Sequence, residues 1–128
     1  ANCILIILAM IDQKKADELE ALAQNIGLDV IIEIHNKEEL QRAVNMKSEL
    51  IGINNRNLNN FETRLETTIE LSNYIGDLNK IFISESGFHS HSNVNKIISL
   101  TGINNFLIGE YLMKSEQLES DIANILNL

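Results

Sequence analysis

The amino-acid sequence predicts an α/β fold in which five parallel strands alternate with helices. Five short apolar runs, rich in isoleucine, recur along the chain at residues 4–10, 30–34, 50–53, 81–83 and 105–108. The runs are continuous and do not alternate with polar residues, which is typical of strands in a parallel sheet. Helical patterns separate them, and this β-α order implies parallel strands joined by right-handed crossovers.

The first helical pattern, residues 12–27, follows the first predicted strand. Its apolar positions share one helical face, and Gly27 suits the C-terminal cap. That face contains Ala16, Leu19, Leu22, Ala23 and Ile26. In the second pattern, residues 36–49, Asn36 is the expected N-cap and Glu39 its capping-box partner.

Three further helical patterns complete the predicted units. Residues 62–76 carry apolar side chains at helical spacing and end at Gly76, and residues 91–102 and 115–128 follow the fourth and fifth strands. Ser90 and Ser115 are candidate caps for the last two helices. Two architectures fit five such units: a doubly wound open sheet, or part of a (β/α)₈ barrel, which needs about 250 residues to close. Because the chain has 128 residues without proline or an evident linker, we expect one domain over residues 1–128.

Composition excludes several classes of protein. Apolar residues make up 45% and charged residues 22%, which is typical of a globular protein and not of a disordered one. No apolar run approaches the roughly 20 residues that span a membrane, and the N-terminal run is interpreted as a strand and not a signal peptide. Cys3 is the single cysteine, so no internal disulfide can form; this fits a reducing compartment and predicts a cytoplasmic location. The net charge of −8 argues against a nucleic-acid partner but not against a small phosphorylated ligand.

Candidate functional residues follow the predicted strands, where chemistry gathers in both architectures. Glu33 lies inside the apolar stretch "VIIEIH" and Glu85 repeats the pattern in "ISESG". A buried carboxylate is either a paired core residue or an acid/base group tuned by burial, and two at successive strand ends favour a site. His35 is a candidate acid/base or metal ligand, although a structural role is more common at such a position. No set of residues has the spacing of a metal site, so none is predicted.

Two features of the later strand ends indicate a phosphate site. The turns "SESG" and "IGE" each contain a glycine, which allows backbone amides to approach an anion closely. In a (β/α)₈ barrel, the loops after the last two strands commonly bind phosphate. In "GINNRN" three asparagines and an arginine, residues 54–57, also follow a buried run.

The segments "DVIIEIHNKEEL", "LIGINNRNLNNFETRLETT", "IFISESGFHSHSNV" and "FLIGEYLM" resemble those of indole-3-glycerol phosphate synthase, an enzyme of tryptophan biosynthesis. The likeness covers nearly the whole chain and corresponds to the fourth through eighth βα units of a (β/α)₈ barrel, with the first three absent. The resemblance implies ring closure of 1-(2-carboxyphenylamino)-1-deoxyribulose 5-phosphate with loss of carbon dioxide and water. It implies a decarboxylating carbon-carbon lyase that uses no metal and no organic cofactor.

The resemblance also implies residue roles. Glu33 corresponds to the catalytic glutamate, and the asparagines and arginine of the third strand end face substrate, with Asn54 catalytic and Arg56 substrate-binding. The remaining catalytic candidates are Glu85 and Ser86. The substrate-binding set is completed by Gly87, Gly109 and Glu110, which correspond to the family's phosphate-binding loops.

The family's first and third strands supply a glutamate and two lysines that have no counterpart here, so the isolated chain is expected to have little or no activity. Three hypotheses remain open: an inactive C-terminal portion, one subunit of a split enzyme, and a non-enzymatic half-barrel that binds a phosphorylated ligand. An open sheet of five strands would leave apolar edges and one face uncovered. We therefore expect a homo-oligomer or a complementing N-terminal fragment, and no membrane or nucleic-acid partner.

Overall fold

The computed structural model describes residues 1–128 and contains one sheet of five parallel strands whose spatial order follows the chain. The strands are β1 (Cys3–Ile7), β2 (Asp29–Ile34), β3 (Leu50–Asn54), β4 (Ile81–Glu85) and β5 (Asn105–Leu107). A doubly wound sheet would reverse its strand order at a switch point, and this sheet has no reversal. The fold is therefore a partial (β/α)₈ barrel of five βα units, as the sequence predicts.

The helices follow the strands in the expected alternation. They are α1 (Gln13–Asn25), α2 (Lys37–Ala43), α3 (Glu66–Ser72), α4 (His91–Thr101), α5 (Glu110–Met113) and α6 (Leu118–Leu126). Two details differ from the sequence prediction: the first strand ends at Ile7 and continues as a 3₁₀ turn, and the short helix α5 precedes α6. No helix is long and apolar enough to cross a bilayer.

The helix ends agree in most cases with the boundary signals in the sequence. Gly27 adopts φ +80° and closes α1 in a Schellman motif, in which the amide of Leu28 donates to the carbonyl of Ala23 at 2.9 Å. Ser90 accepts a hydrogen bond from the backbone of Asn93 and caps α4. The expectation for Ser115 is wrong: α6 begins after Gln117 without a side-chain cap.

The two faces of the sheet differ in how they are covered. Successive strand residues point to opposite faces, and the face that packs against the helices is fully buried at its centre. Its central residues, each with no exposed area, are Ile32, Ile34, Ile51 and Ile53. These belong to a cluster of 19 buried apolar residues that forms the core between sheet and helices.

The opposite face is open within residues 1–128. Leu5, Ile81 and Leu107 lie on it and expose 42%, 46% and 49% of their surfaces. Strands β1 and β5 each pair with one neighbour only, so the sheet also has two free edges. The continuous apolar runs suggested strands covered on both faces, whereas the structure covers only the helix-facing side.

We expect substitutions on the two faces to differ in cost. Ile32→Ala opens a cavity in the core and should lower the free energy of unfolding by about 2–5 kcal/mol. Leu5→Ala removes a half-exposed side chain from the open face and should cost less than about 1 kcal/mol. Urea denaturation followed by circular dichroism measures both. An equal cost for the two variants would contradict the prediction, and would mean that the open face is covered in solution.

Candidate active site

Two buried glutamates lie close together at the carboxyl edge of the sheet. Glu33 in β2 and Glu85 in β4 are 3% and 2% exposed. Strand β3 lies between them: Glu33 is in register with Gly52, and Glu85 with Asn54. Residues in register in a parallel sheet share a face, so both carboxyl groups project onto the open face of the sheet. They meet there because Gly52 has no side chain to separate them.

Asn54 fixes the position of one of these carboxyl groups. Its Nδ2 atom donates to Oε1 of Glu33 at 3.0 Å, and its Oδ1 atom accepts from the backbone amide of Arg56 at 2.9 Å. The amide of Asn54 therefore has a single orientation. It links the end of β2 to the turn that follows β3.

The two carboxyl groups differ in protonation. Burial, together with the charge of Glu33, raises the pKa of Glu85 to about 8. Burial also acts to raise the pKa of Glu33, but the nearby ring of His35 and the hydrogen bond from Asn54 outweigh it and hold that pKa below its ordinary value. Near neutral pH the pair therefore holds one proton, which resides on Glu85. The Oε1 atom of Glu85 has no hydrogen-bond partner within the chain.

His35 lies between two carboxylates just after β2. Its Nε2 atom is 3.2 Å from Oε1 of Glu33, and its Nδ1 atom is 3.1 Å from Oε2 of Glu39. Glu39 belongs to the capping box of α2, where its backbone amide donates to the side chain of Asn36 at 2.9 Å. The first turn of α2 is thus connected to the carboxyl pair through His35.

A cavity of about 360 Å³ lies between the turns after β3, β4 and β5, and Ser86, the residue that follows Glu85, lines it. Arg56 at its rim forms an ion pair with Glu110, which also pairs with Lys114. Ser86 and Gly87 both adopt left-handed backbone conformations, with φ +69° and +86°. The lining residues are Arg56, Thr63, Ser86, Gly87, Phe88, His89, Ile108, Gly109, Glu110, Tyr111 and Lys114.

A wider open groove of about 1240 Å³ extends from Arg56 across Asn54 and His35. At its far side the ammonium group of Lys37 lies 4.0 Å from the ring centroid of Tyr74. Arg56 borders both hollows, so the groove and the smaller cavity adjoin at the carboxyl edge, and Asn54, which binds Glu33, lines the groove.

The side chain of Asn55 turns away from the carboxyl pair, although residue 55 borders the groove and the sequence analysis expected the asparagines of this stretch to face substrate. It is 2% exposed, and its Nδ2 atom donates to Oγ of Ser84 and to the backbone carbonyl of Ser86, both at 3.1 Å. Its Oδ1 atom accepts from the hydroxyl of Thr68 at 2.8 Å. Because Asn55 follows Asn54 directly, strand alternation turns it toward the helices, where it ties α3 to β4.

A family model described as indole-3-glycerol phosphate synthase matches residues 1–125. The chain belongs to the indole-3-glycerol phosphate synthase family. It is 50% identical over 125 residues to indole-3-glycerol phosphate synthase 2 of Ralstonia nicotianae, a match that covers 98% of this chain and 46% of that protein. It is 42% identical over 117 residues to indole-3-glycerol phosphate synthase of Chromobacterium violaceum, covering 91% of this chain and 43% of the relative. The chain thus spans about half the length of these curated relatives.

In this member of the synthase family, the predicted site residues fall into two neighbouring groups. The first set surrounds the carboxyl pair and consists of Glu33, Asn54 and Glu85. The cavity group consists of Arg56, Ser86, Gly87, Gly109 and Glu110. The predicted residues therefore come together at one edge of the sheet. Their roles in catalysis and substrate binding remain predictions.

Sequence reasoning missed two contributors to the site. Glu39 was recognised only as a helix cap, and the contact that joins it to His35 could not be read from spacing alone. Gly52 was not singled out, because its importance depends on a side chain of the neighbouring strand. No group of three or more His, Cys, Asp or Glu side chains is arranged to hold a metal ion.

We expect Gly52→Ala to disrupt the carboxyl pair. A Cβ at this position would lie 1.9 Å from Oε1 of Glu85, so the glutamate must move. The substitution should destabilise the fold by about 1–3 kcal/mol. In a Glu85→Ala background most of that cost should disappear, and a double-mutant cycle from urea denaturation measures the coupling. Gly109→Ala is the matched control, because its Cβ would meet no atom within 4 Å. Additive costs for Gly52 and Glu85 would contradict the prediction.

We expect the free energy of unfolding to fall as the pH rises above the pKa of an ordinary glutamate. Because the pKa of Glu85 is about 8 in the folded state, the native chain binds more protons than the unfolded chain between about pH 4.3 and 8. Stability from this group is complete below that window and is lost as the pH rises through it. Urea midpoints between pH 5 and 8.5 measure the slope, which Glu85→Gln should flatten. A wild-type slope that Glu85→Gln leaves unchanged would contradict the assignment.

Proposed function

We propose that residues 1–128 form the carboxyl-terminal half of an indole-3-glycerol phosphate synthase active site. In this reaction 1-(2-carboxyphenylamino)-1-deoxyribulose 5-phosphate closes its pyrrole ring, and carbon dioxide and water leave. The observation that carries the proposal is the pair of buried carboxyl groups in opposite protonation states at the edge of the sheet, where Ser86, the residue after Glu85, lines a cavity of about 360 Å³. Ring closure followed by dehydration requires proton transfers at neighbouring atoms, which such a pair can perform.

The two carboxyl groups take different roles in this proposal. Glu33 is ionised and accepts a proton during the dehydration. Asn54 holds the carboxylate in place through its hydrogen bond to Oε1. Glu85 is protonated near neutral pH and, with Ser86, presents hydrogen-bond donors to the oxygen atoms of the substrate.

The smaller cavity binds the phosphate group in this proposal. Gly87 and Gly109 lie in the turns after β4 and β5, and a glycine at such a turn lets the backbone approach phosphate oxygens. Nothing in the fold itself would obstruct a side chain at Gly109, so its glycine is explained better by a ligand than by packing. Arg56, now paired with Glu110, exchanges that carboxylate for the phosphate when substrate binds.

The half site lacks a lysine near the carboxyl pair that could act as the general acid. Lys37 lies against the ring of Tyr74, and Lys114 pairs with Glu110. The family resemblance assigns a lysine general acid to an earlier strand, outside the units present here. Absence of a positioned general acid costs about 10²–10⁴ in rate, so the half site on its own should turn over slowly or not at all.

The partner that best fits the open face is the complementary amino-terminal half of the same barrel, on the same polypeptide or on a separate chain. Three further βα units would pair with the free edges of β1 and β5 and close an eight-stranded barrel. They would also cover Leu5, Ile81 and Leu107. Two copies of this chain would bring ten strands together, which does not match that closure.

The proposal is tested by complementation. Residues 1–128 are mixed with the amino-terminal half of the Ralstonia nicotianae relative, and indole-3-glycerol phosphate formation is measured by its absorbance. We expect no turnover from residues 1–128 alone and measurable turnover from the mixture. Glu33→Gln should reduce that turnover by about 10²–10⁴, because the base is lost. Glu38→Gln, an exposed glutamate on α2, is the matched control and should leave turnover unchanged.

Light scattering on the same samples separates the remaining outcomes. A heterodimer without turnover, but with phosphate binding that Arg56→Ala abolishes, would favour a non-enzymatic phosphate-binding half-barrel. A stable homo-oligomer that excludes the amino-terminal half would contradict the proposed partner. Full activity of residues 1–128 alone would contradict the assignment of a half site.

A further inference from the structure

We propose that His35, held by Glu39, is a positioning residue that fixes the carboxylate of Glu33 for proton acceptance. The proposal deepens the synthase function proposed above and rests on it for its catalytic part. In this proposal His35 determines that Glu33 acts as the base and Glu85 as the acid, although His35 is not one of the two glutamates.

The geometry is an unbroken series of contacts from helix α2 to the carboxyl pair. Oε2 of Glu39 accepts from the backbone amide of His35 at 2.7 Å and lies 3.1 Å from Nδ1 of its ring. Oε1 of Glu39 accepts from the side-chain amide of Asn36 at 3.0 Å, so the carboxylate is held on both oxygens. The opposite ring nitrogen of His35 is 3.2 Å from Oε1 of Glu33.

Both ring nitrogens of His35 therefore face carboxylate oxygens. The Nδ1 atom is hydrogen-bonded to Glu39, whereas Nε2 is not aligned for a hydrogen bond to Glu33, so the 3.2 Å contact between them is one of charge and depends on a protonated ring. Burial acts to lower the pKa of His35, but Glu33 and Glu39 outweigh it and raise that pKa to about 9. The ring is consequently a cation at neutral pH, and its charge lies directly beside Glu33.

The other charged groups around this cluster do not replace that cation. Glu85 of β4 adds a carboxyl group, and Arg56 after β3 is engaged by Glu110. Lys37, at the start of α2, lies over the ring of Tyr74. His35 is thus the cation in contact with Glu33, and without it the shared proton of the carboxyl pair could reside on either glutamate.

A purely structural histidine would make the same contacts only to hold the β2–α2 turn. The two roles differ in what they do to Glu33. A positioning residue sets the pH at which Glu33 becomes ionised, whereas a purely structural histidine affects only the stability of the fold. Replacement of Glu39 separates them, since Glu39 acts on Glu33 only through His35.

The first experiment is nuclear magnetic resonance on residues 1–128, with ¹⁵N-labelled histidine and ¹³C-labelled glutamate carboxyl groups. We expect His35 to be doubly protonated at pH 7.5. Glu39→Gln should lower the pKa of His35 and raise that of Glu33, each by about one unit or more. Glu38→Gln removes a charge from the same turn without touching His35, and should shift both by less than about 0.3 unit. A neutral His35 at pH 7, or equal shifts in the two variants, would overturn the proposal.

The second experiment uses the complemented enzyme. His35→Gln keeps a hydrogen-bonding side chain but removes the charge. The pKa of Glu33 should therefore rise, and Glu33 should act as base only at higher pH. The acidic limb of the kcat profile should move up by about one unit, while KM changes less than about threefold. A loss of kcat with an unmoved acidic limb would indicate a structural role and overturn the proposal. If the wild-type mixture shows no turnover, the synthase function itself fails, and the resonance experiment still decides the role of His35.

Discussion

The carboxyl groups of Glu33 and Glu85 are both buried on the open face of the sheet, and at neutral pH they cannot both be charged. Two neighbouring carboxylates in a site with little water repel each other strongly, so the pair retains a proton. The rest of the carboxyl edge determines where that proton resides. Asn54 donates a hydrogen bond to Glu33, and the ring of His35 lies 3.2 Å from the same oxygen atom; both contacts favour the ionised form of Glu33, while the buried carboxyl group of Glu85 has an oxygen without a partner. Opposite protonation states thus arise from two residues of the same type.

Most of the fold could be predicted because it depends on local patterns. Isoleucine-rich runs separated by capped helices specify a βα repeat. Asn36 begins α2 and Gly27 ends α1, as expected. The errors fall where tertiary contacts decide. Leu22 and Ile26 complete the apolar face of α1 in the sequence but are 59% and 67% exposed. The sequence pattern cannot distinguish an apolar residue that packs on the sheet from one that lies beyond its edge.

The site could be predicted in part because parallel strands end at a common edge. That rule identified Glu33, Asn54 and Glu85, which are adjacent in the structure. It erred for Asn55, whose side chain points to the opposite side of the same strand. It was silent on Gly52, since a glycine that accommodates a carboxyl group of the next strand has no local signature. Pair interactions between strands are not visible in one sequence.

The contacts that organise the half site all lie within residues 33–110. Asn54 binds Glu33, Glu85 lies over Gly52, and Arg56 pairs with Glu110, so none of these contacts needs a residue from beyond the chain. A partner half therefore does not have to build the carboxyl pair. In the proposed function, that half has to cover the open face and supply the lysine general acid. Covering that face removes water, which strengthens the interactions among the charges already in place. Five βα units are thus sufficient to position the side chains of the site. They are not sufficient to enclose the proposed substrate.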